Sequence, residues 1–367
     1  YYMEEIMKKL MVFAMAAIMT VSALTGCVQK TNGTGTAPAE GTSASDEKVL
    51  YVYTALEDEQ VNDYLKEFKE QNPDITVNVT RESTGVITSK LLAEKDNPVA
   101  DVVWGLSATS LLVLKQEGML EAYAPEGVEN ILPQFKDDAE VPSWVGIDAW
   151  ETAWVVNKEV LKSKGIDTVP TSYKDLLDPK YAGLIVMPNP ASSGTGLLTV
   201  NGILSLYGEE AGWEYLDALD KNVAVYMHSG SQPAKETAAG EYGIGISFGY
   251  RCLTLAEEVG SDICEAVFPE EGSGWDMEAN ALIKKDGEKE ISKKFLDWAI
   301  SENIMKKYAE NYPIVATGVG EDLPEGYSSN PIDQLIPDID FAEAAANRET
   351  VLSQWSERYD AKSAAKE

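Results

Sequence analysis

From Val49 onward, short runs of β-branched and aromatic residues alternate with stretches of helical periodicity, and no other feature limits the possible folds so strongly. "VLYVYTA" reads as a buried strand. "VNDYLKEFKEQNP" then sets Val61, Leu65 and Phe68 on one helical face and stops at Asn72-Pro73, after which "ITVNVT" alternates as a second strand. "ITSKLLAEKDNP", "ADVVWG" and "SATSLLVLKQEGML" continue as helix, strand and helix. Parallel strands need a crossover between them, so the repeat implies a mostly parallel sheet with helices on both faces.

The same order returns in the second half. "GLIVMP", "NVAVYM", "YGIGISF" and "ICEAVFP" read as strands, separated by helices at "GTGLLTVNGILSLYG", "GWEYLDALD", "PAKETAAG" and "CLTLAEEVG". The aromatic and apolar run "WVGIDAWETAWVVN" joins the two blocks as a first crossing. The chain returns through "PEEGSGWDMEANALI", because "SKKFLDWAISENIMKKYAENYP" supplies helices the second block does not need. A folded stretch of roughly 320 residues also exceeds what one hydrophobic core usually supports. The expectation is an α/β protein of two lobes, each with a mostly parallel central sheet, hinged by two crossings. Residues 47–148 plus 275–320 form lobe 1, and 149–274 plus 321–367 form lobe 2.

Ahead of this, residues 7–27, "MKKLMVFAMAAIMTVSALTGC", pair two lysines with a short apolar run and small residues, the pattern of a secretory signal. The ending "LTGC" resembles a lipobox, which makes Cys27 the expected lipidated residue and places the mature chain outside the cytoplasm, anchored to the membrane. Residues 28–46, "VQKTNGTGTAPAEGTSASD", lack large apolar side chains and read as a flexible tether. No second apolar run is long enough to span a membrane. Of the three cysteines, Cys252 and Cys264 remain, and their spacing leaves a disulfide and two buried thiols equally open.

A net charge of −31 argues against nucleic acid as a partner. It also means that an anionic ligand must be held by local contacts, since distant charge is screened beyond about 8 Å in physiological salt. Six strands empty into loops that offer such contacts: "YTALED" with Thr54, Ala55 and Glu57; "RESTG" with Ser83, Thr84 and Gly85; "WGLSATS"; "NPASSGTG" with Ser193, Gly194 and Thr195; "HSGSQP" with Ser229 and Ser231; and "SFGYR" with Tyr250 and Arg251. Ligands of open parallel sheets bind at the carboxyl ends of the strands. A helix beginning at Gly194-Thr195 would turn unpaired N–H groups and the positive end of its dipole toward such a cleft. Each loop alone is ordinary turn and cap chemistry; the six together describe one cleft lined with neutral donors. Two of the four arginines, Arg81 and Arg251, fall in these loops, and a guanidinium can grip a phosphoryl group with two parallel bonds.

An enzyme is the rival class. A nucleotide-hydrolysing loop needs lysine before its Ser/Thr, and no "GK[ST]" occurs. The single histidine, His228, leaves little for histidine-based triads or multi-histidine zinc sites. No spacing points to a catalytic residue, a resident metal or another cofactor, so an extracellular phosphoryl or phosphonate hydrolase is the weaker reading.

The succession "YVYTALEDEQ", "STGVITSKLLAEKDNPVADVVWGL", "VGIDAWET", "GLIVMPNPASSGTG", "HSGSQPAKETAAGE", "GIGISFGYR" and "FPEEGSGWDMEANALI" resembles the family 1 extracellular solute-binding lipoproteins of ABC importers. More narrowly it is similar to the 2-aminoethylphosphonate-binding branch, a relative of ferric-iron and sugar-phosphate receptors. The resemblance implies a type II periplasmic-binding-protein fold, a monomer that closes about its hinge on a small phosphonate or phosphorylated solute, and a membrane permease as partner. By position, Ser193-Gly194-Thr195 match the place where iron-binding relatives hold an anion, and Ser83-Thr84-Gly85 the loop facing it. Those relatives ligate ferric iron with adjacent tyrosines at the position of "SFGYR"; here Tyr250 stands alone, although Glu57 and His228 keep an iron receptor as the alternative. An aminoethylphosphonate ammonium needs a carboxylate or an aromatic face. Glu57, Glu82, Asp148, Glu151, Asp276 and Glu278 lie near loops or crossings, with Glu57 and Asp276 preferred, and Trp104, Trp150 and Trp275 are close in sequence.

Overall fold

The computed structural model describes residues 46–320, 323, 325–337 and 339–365; the expected signal segment, Cys27 and nearly all of the tether lie outside the described residues. The strands, in chain order, are β1 (Val49–Thr54), β2 (Thr76–Arg81), β3 (Val102–Ser107), β4 (Leu120–Glu121), β5 (Val145–Asn157), β6 (Ile185–Pro188), β7 (Val223–Met227), β8 (Ile244–Phe248), β9 (Cys264–Val267), β10 (Trp275–Ile283), β11 (Ile314–Val315) and β12 (Gly318–Val319).

The main path of the sheet is β2-β1-β3-β10-β5-β8-β6-β7. β1 pairs in parallel with β2 and β3, and β6 in parallel with β7 and β8. The long strands enter differently: β10 runs antiparallel to β3 and β5, and β5 antiparallel to β8 and β9. One mixed sheet thus runs through the molecule, with β5 as its continuous member. Residues Val145–Glu151 of β5 lie opposite β10, while Thr152–Asn157 lie opposite β8 and β9. All thirteen residues of β5 are buried, which is why "WVGIDAWETAWVVN" shows no polar alternation.

Two hydrophobic cores flank this seam. Around β1, β3 and β10, Trp104 packs edge-on to Tyr64 and Phe295 and donates Nε1–H to Tyr308 Oη at 3.0 Å. Around β6, β7 and β8, Tyr226, Trp355 and Tyr359 form a second aromatic cluster. The helices Glu290–Trp298 and Glu302–Ala309 serve the first core, through Phe295, Leu296, Ile304 and Tyr308. Phe341–Tyr359 forms a helix unanticipated from the sequence. Asp340 caps it, Phe341 packs on Trp275, its length runs against the helix Ala108–Gln116, and Trp355 and Tyr359 enter the second core. Cys252 and Cys264 are both buried and unbonded in a small core with Ala153, Val155 and Ala234, and burial pushes the Cys252 thiol up. No helix among the described residues is long and apolar enough to cross a membrane.

Candidate functional site

Four parallel-paired strands deliver helix N-termini to one place. After β1, Glu57 caps the helix Asp58–Gln71; after β2, Ser83 precedes Thr84–Ala93 without a capping bond; after β6, Ser193 caps Gly194–Tyr207; after β8, Phe248 precedes Gly249–Val259. Ser193 Oγ accepts from Gly196 N–H at 3.3 Å, leaving the N–H groups of Gly194 and Thr195 without an acceptor among the described residues. Two of these ends meet face to face: Gly85 N–H donates to Ser192 O at 2.9 Å, and a Cβ on Gly194 would stand 2.6 Å from Thr84 Oγ1. Only glycine permits that approach.

Between them lies a cavity of about 40 Å³. Ser83, Thr84, Ser193, Gly194 and Thr195 form its hydroxyl-rich end, with Ala55, Glu57 and Arg81 beside them. Gln60, Trp150, Phe248, Glu278 and Tyr312 form the rest of the wall with Gly230. Glu57 is the electrostatic centre. Its Oε1 lies 3.2 Å from Arg81 Nη2, and its Oε2 lies 3.1 Å from Arg251 Nη2 and 3.9 Å from Lys235 Nζ. Ser231 Oγ donates to the same Oε2 at 3.4 Å. Arg81 also donates Nε–H to Leu56 O at 2.9 Å, and its Nη1 has no partner among the described residues.

The other expected residues fall around this cavity without forming its wall. Thr54 is fully buried and accepts from Leu56 N–H; Gly85 makes the contact to Ser192; Ser229 and Ser231 bond to each other at 3.2 Å. Tyr250 stacks on Phe248 and tilts against Tyr312, while Arg251 is held by Glu57 and Glu59. Asp276 accepts from Thr109 Oγ1 and Met277 N–H, near the start of the helix Ala108–Gln116; burial pushes its carboxyl up to about 7 although the Thr109 bond opposes the rise. His228 turns away, with Nε2 3.0 Å from Ala364 O. No group of three or more His, Cys, Asp or Glu among the described residues is placed to hold a metal.

Trp150 is one of the aromatic faces the sequence offers for an ammonium, whereas nothing in the sequence marks Gln60, Phe248, Gly230 or Tyr312 as a ligand residue. Gln60 carried a signal, since Glu57-x-x-Gln60 is a capping box and Glu57 N–H donates to Gln60 Oε1 at 3.1 Å. Tyr312 carried none: it follows the last helix of the first core and reaches the cavity only through the fold, accepting from Gln60 Nε2 at 3.1 Å.

A mixed sheet seamed by one buried strand, two cores, and a cavity ringed by helix N-termini define the class: an α/β solute receptor. The chain belongs to the bacterial extracellular solute-binding protein family, whose profile matches residues 63–332. It is 26% identical to the thiamine-binding periplasmic protein of Brucella abortus over 330 residues, 88% of this chain and 94% of that protein. It is 26% identical to a probable ABC transporter periplasmic-binding protein of Sinorhizobium fredii over 253 residues, 67% of each chain. In structure it matches the periplasmic binding protein AfuA of Actinobacillus pleuropneumoniae, with fructose-6-phosphate bound, at a TM-score of 0.78 and 27% identity, covering 85% of this chain and 99% of that one. The chain is an extracytoplasmic solute receptor of the ABC-importer type, with a small solute as ligand and a membrane permease as partner.

Proposed function

We propose that this receptor, anchored through a lipidated Cys27, takes a small solute carrying a phosphonate or phosphate group, with 2-aminoethylphosphonate the first candidate, and closes on it between two hinged lobes. One observation carries the reading: two helix N-termini, at Thr84 and at Gly194-Thr195, converge on one cavity with four serine and threonine hydroxyls. Free N–H groups and dipole ends suit a tetrahedral anion, and the free Nη1 of Arg81 adds a charged donor at the same wall. The phosphorylated sugar in AfuA supports the same ligand class for a relative of this fold. Ferric iron fits less well, because Glu57 is bound to cations, His228 faces Ala364, and Tyr250 is stacked between aromatic rings. Hydrolysis lacks a nucleophile paired with a base at the cavity wall.

Calorimetry with 2-aminoethylphosphonate, hexose phosphates, inorganic phosphate and chelated ferric iron tests this. Heat from at least one phosphoryl compound and none from iron is the expected result; heat from iron alone, or release of free phosphate from a bound ester, would overturn the reading.

A further inference from the structure

The phosphoryl end of the cavity does not account for the acids at its floor. β5 and β10 place Asp148 directly opposite Glu278. Asp148 is completely buried, and no donor reaches either of its carboxyl oxygens; Oε2 of Glu278 is in the same state. The two groups are within reach of each other, so one proton between them serves both. Glu278 also lines the cavity, at 9% exposure, and no protein hydrogen bond among the described residues goes to it. Buried acids without donors are costly, and such costs persist where function uses them.

We propose that Glu278, backed by Asp148, is a subsite for a primary ammonium group, so that the receptor prefers zwitterions with a phosphoryl group at one end and an ammonium at the other. This rests on Ser193, Gly194 and Thr195 being the phosphoryl seat. The surroundings favour a cation over a neutral donor. Glu57 and Asp276 add negative charge around Glu278; Arg81 is the nearby cation and is already paired with Glu57. The hydroxyls of Tyr64, Tyr308 and Tyr312 stay neutral: burial pushes each of them up and the two acids add to it, outweighing the bonds from Asn311 to Tyr64, from Trp104 to Tyr308 and from Gln60 to Tyr312. Trp150, Phe248 and Tyr312 wall the same region, and aromatic faces attract ammonium groups. Glu57 and Asp276, the carboxylates preferred from the sequence, are already engaged with cations and with Thr109.

Burial raises both acids first; Glu278 and then Glu151 push Asp148 up further, while Glu57 and Asp276 push Glu278 up against the lowering from its bond to Asp148 and from Arg81, so the empty pair retains a proton near neutral pH. An arriving ammonium takes the place of that proton, which leaves to solvent. Affinity for an aminophosphonate therefore rises with pH toward the point where the pair ionises, by up to about tenfold per unit.

Calorimetry in buffers of different ionisation enthalpy reads the proton directly. At pH 7, wild-type protein should bind 2-aminoethylphosphonate at least tenfold more tightly than ethylphosphonate. It should also release up to roughly one proton more than Glu278→Gln does on the same ligand. Glu278→Gln should bind the two phosphonates alike, and Asp148→Asn, which keeps the contact group, should lose proton release while melting cooperatively. Equal binding of both phosphonates by wild type, or unchanged proton release in both variants, would overturn the ammonium subsite and leave the phosphoryl seat standing. Silence from both phosphonates, hexose phosphates and inorganic phosphate would overturn the phosphoryl reading and this one with it.

Discussion

Glu57 and Thr195 show how differently two cavity residues act. Thr195 is almost fully buried, and its hydroxyl would lie 2.6 Å from a Cβ on Gly230, so it sits against the facing loop. Losing a donor to a charged oxygen typically costs about 1.5–3 kcal/mol. Thr195→Ala is expected to weaken phosphonate binding roughly ten- to a hundredfold by calorimetry with the melting temperature little changed. Glu57 instead ties together cations from both halves of the chain, Arg81 on one side and Arg251 and Lys235 on the other. Glu57→Gln removes the charge while Arg251 keeps Glu59. It should lower stability by about 1–3 kcal/mol in urea unfolding and enlarge the ligand-free radius of gyration in small-angle scattering. An unchanged scattering profile would mean that the bridge does not hold the cleft shut.

At the scale of elements, the cavity depends on one helix start meeting another. Gly194→Val places branched carbon atoms where Thr84 already stands, so it is expected to block approach of Thr84–Ala93 to Gly194–Tyr207. Affinity for a phosphonate should fall more than tenfold, with no compaction on ligand addition. Stability of the separate cores should survive, because the atoms nearest that side-chain position belong to Thr84, which is in neither core. The helix Phe341–Tyr359 behaves oppositely: it lines no part of the cavity, yet Trp355 is 1% exposed against Tyr226 and Tyr359. Trp355→Ala should cost about 3–5 kcal/mol of stability and leave affinity intact in the folded fraction. Its sequence carried readable marks, Asp340 followed by Glu343 and buried positions at Ala345, Arg348, Val351, Trp355 and Tyr359. The alanine-rich first turns hid the apolar stripe.

For the whole molecule, the seam strands concentrate acids in the interior. Burial pushes Glu151 up to about 8 and Asp276 up to about 7, and raises Asp148 and Glu278 as well. In the unfolded chain these groups ionise near pH 4, so between about pH 4 and 8 the folded state binds more protons than the unfolded one. Their contribution to stability is greatest at the acidic end and is lost as pH rises through that window. The melting temperature should therefore be several degrees lower at pH 8 than at pH 5. Glu151→Gln should flatten part of that slope; a melting temperature that climbs from pH 5 to 8 would contradict the burial argument.

The amino-acid sequence by itself determined most of the strands and helices, the helix Phe341–Tyr359 and the two-residue strands β4, β11 and β12 excepted, that the two blocks share one grammar, and that hydroxyls and glycines gather at strand ends. Those are local consequences of periodicity and turn chemistry, legible wherever apolar spacing is regular. It also supplied "NPASSGTG", because a helix start carries its own cap and its own unpaired donors. Partnership between distant residues was left to the tertiary structure. Antiparallel insertion of β5 and β10 put Asp148 against Glu278, brought Tyr312 to Gln60 across 252 positions, and turned Asp276 onto Thr109. Nothing near Glu278 in the chain distinguishes it from the other acids among 61. Only strand register and burial decide which carboxyl loses its solvent and faces the cavity.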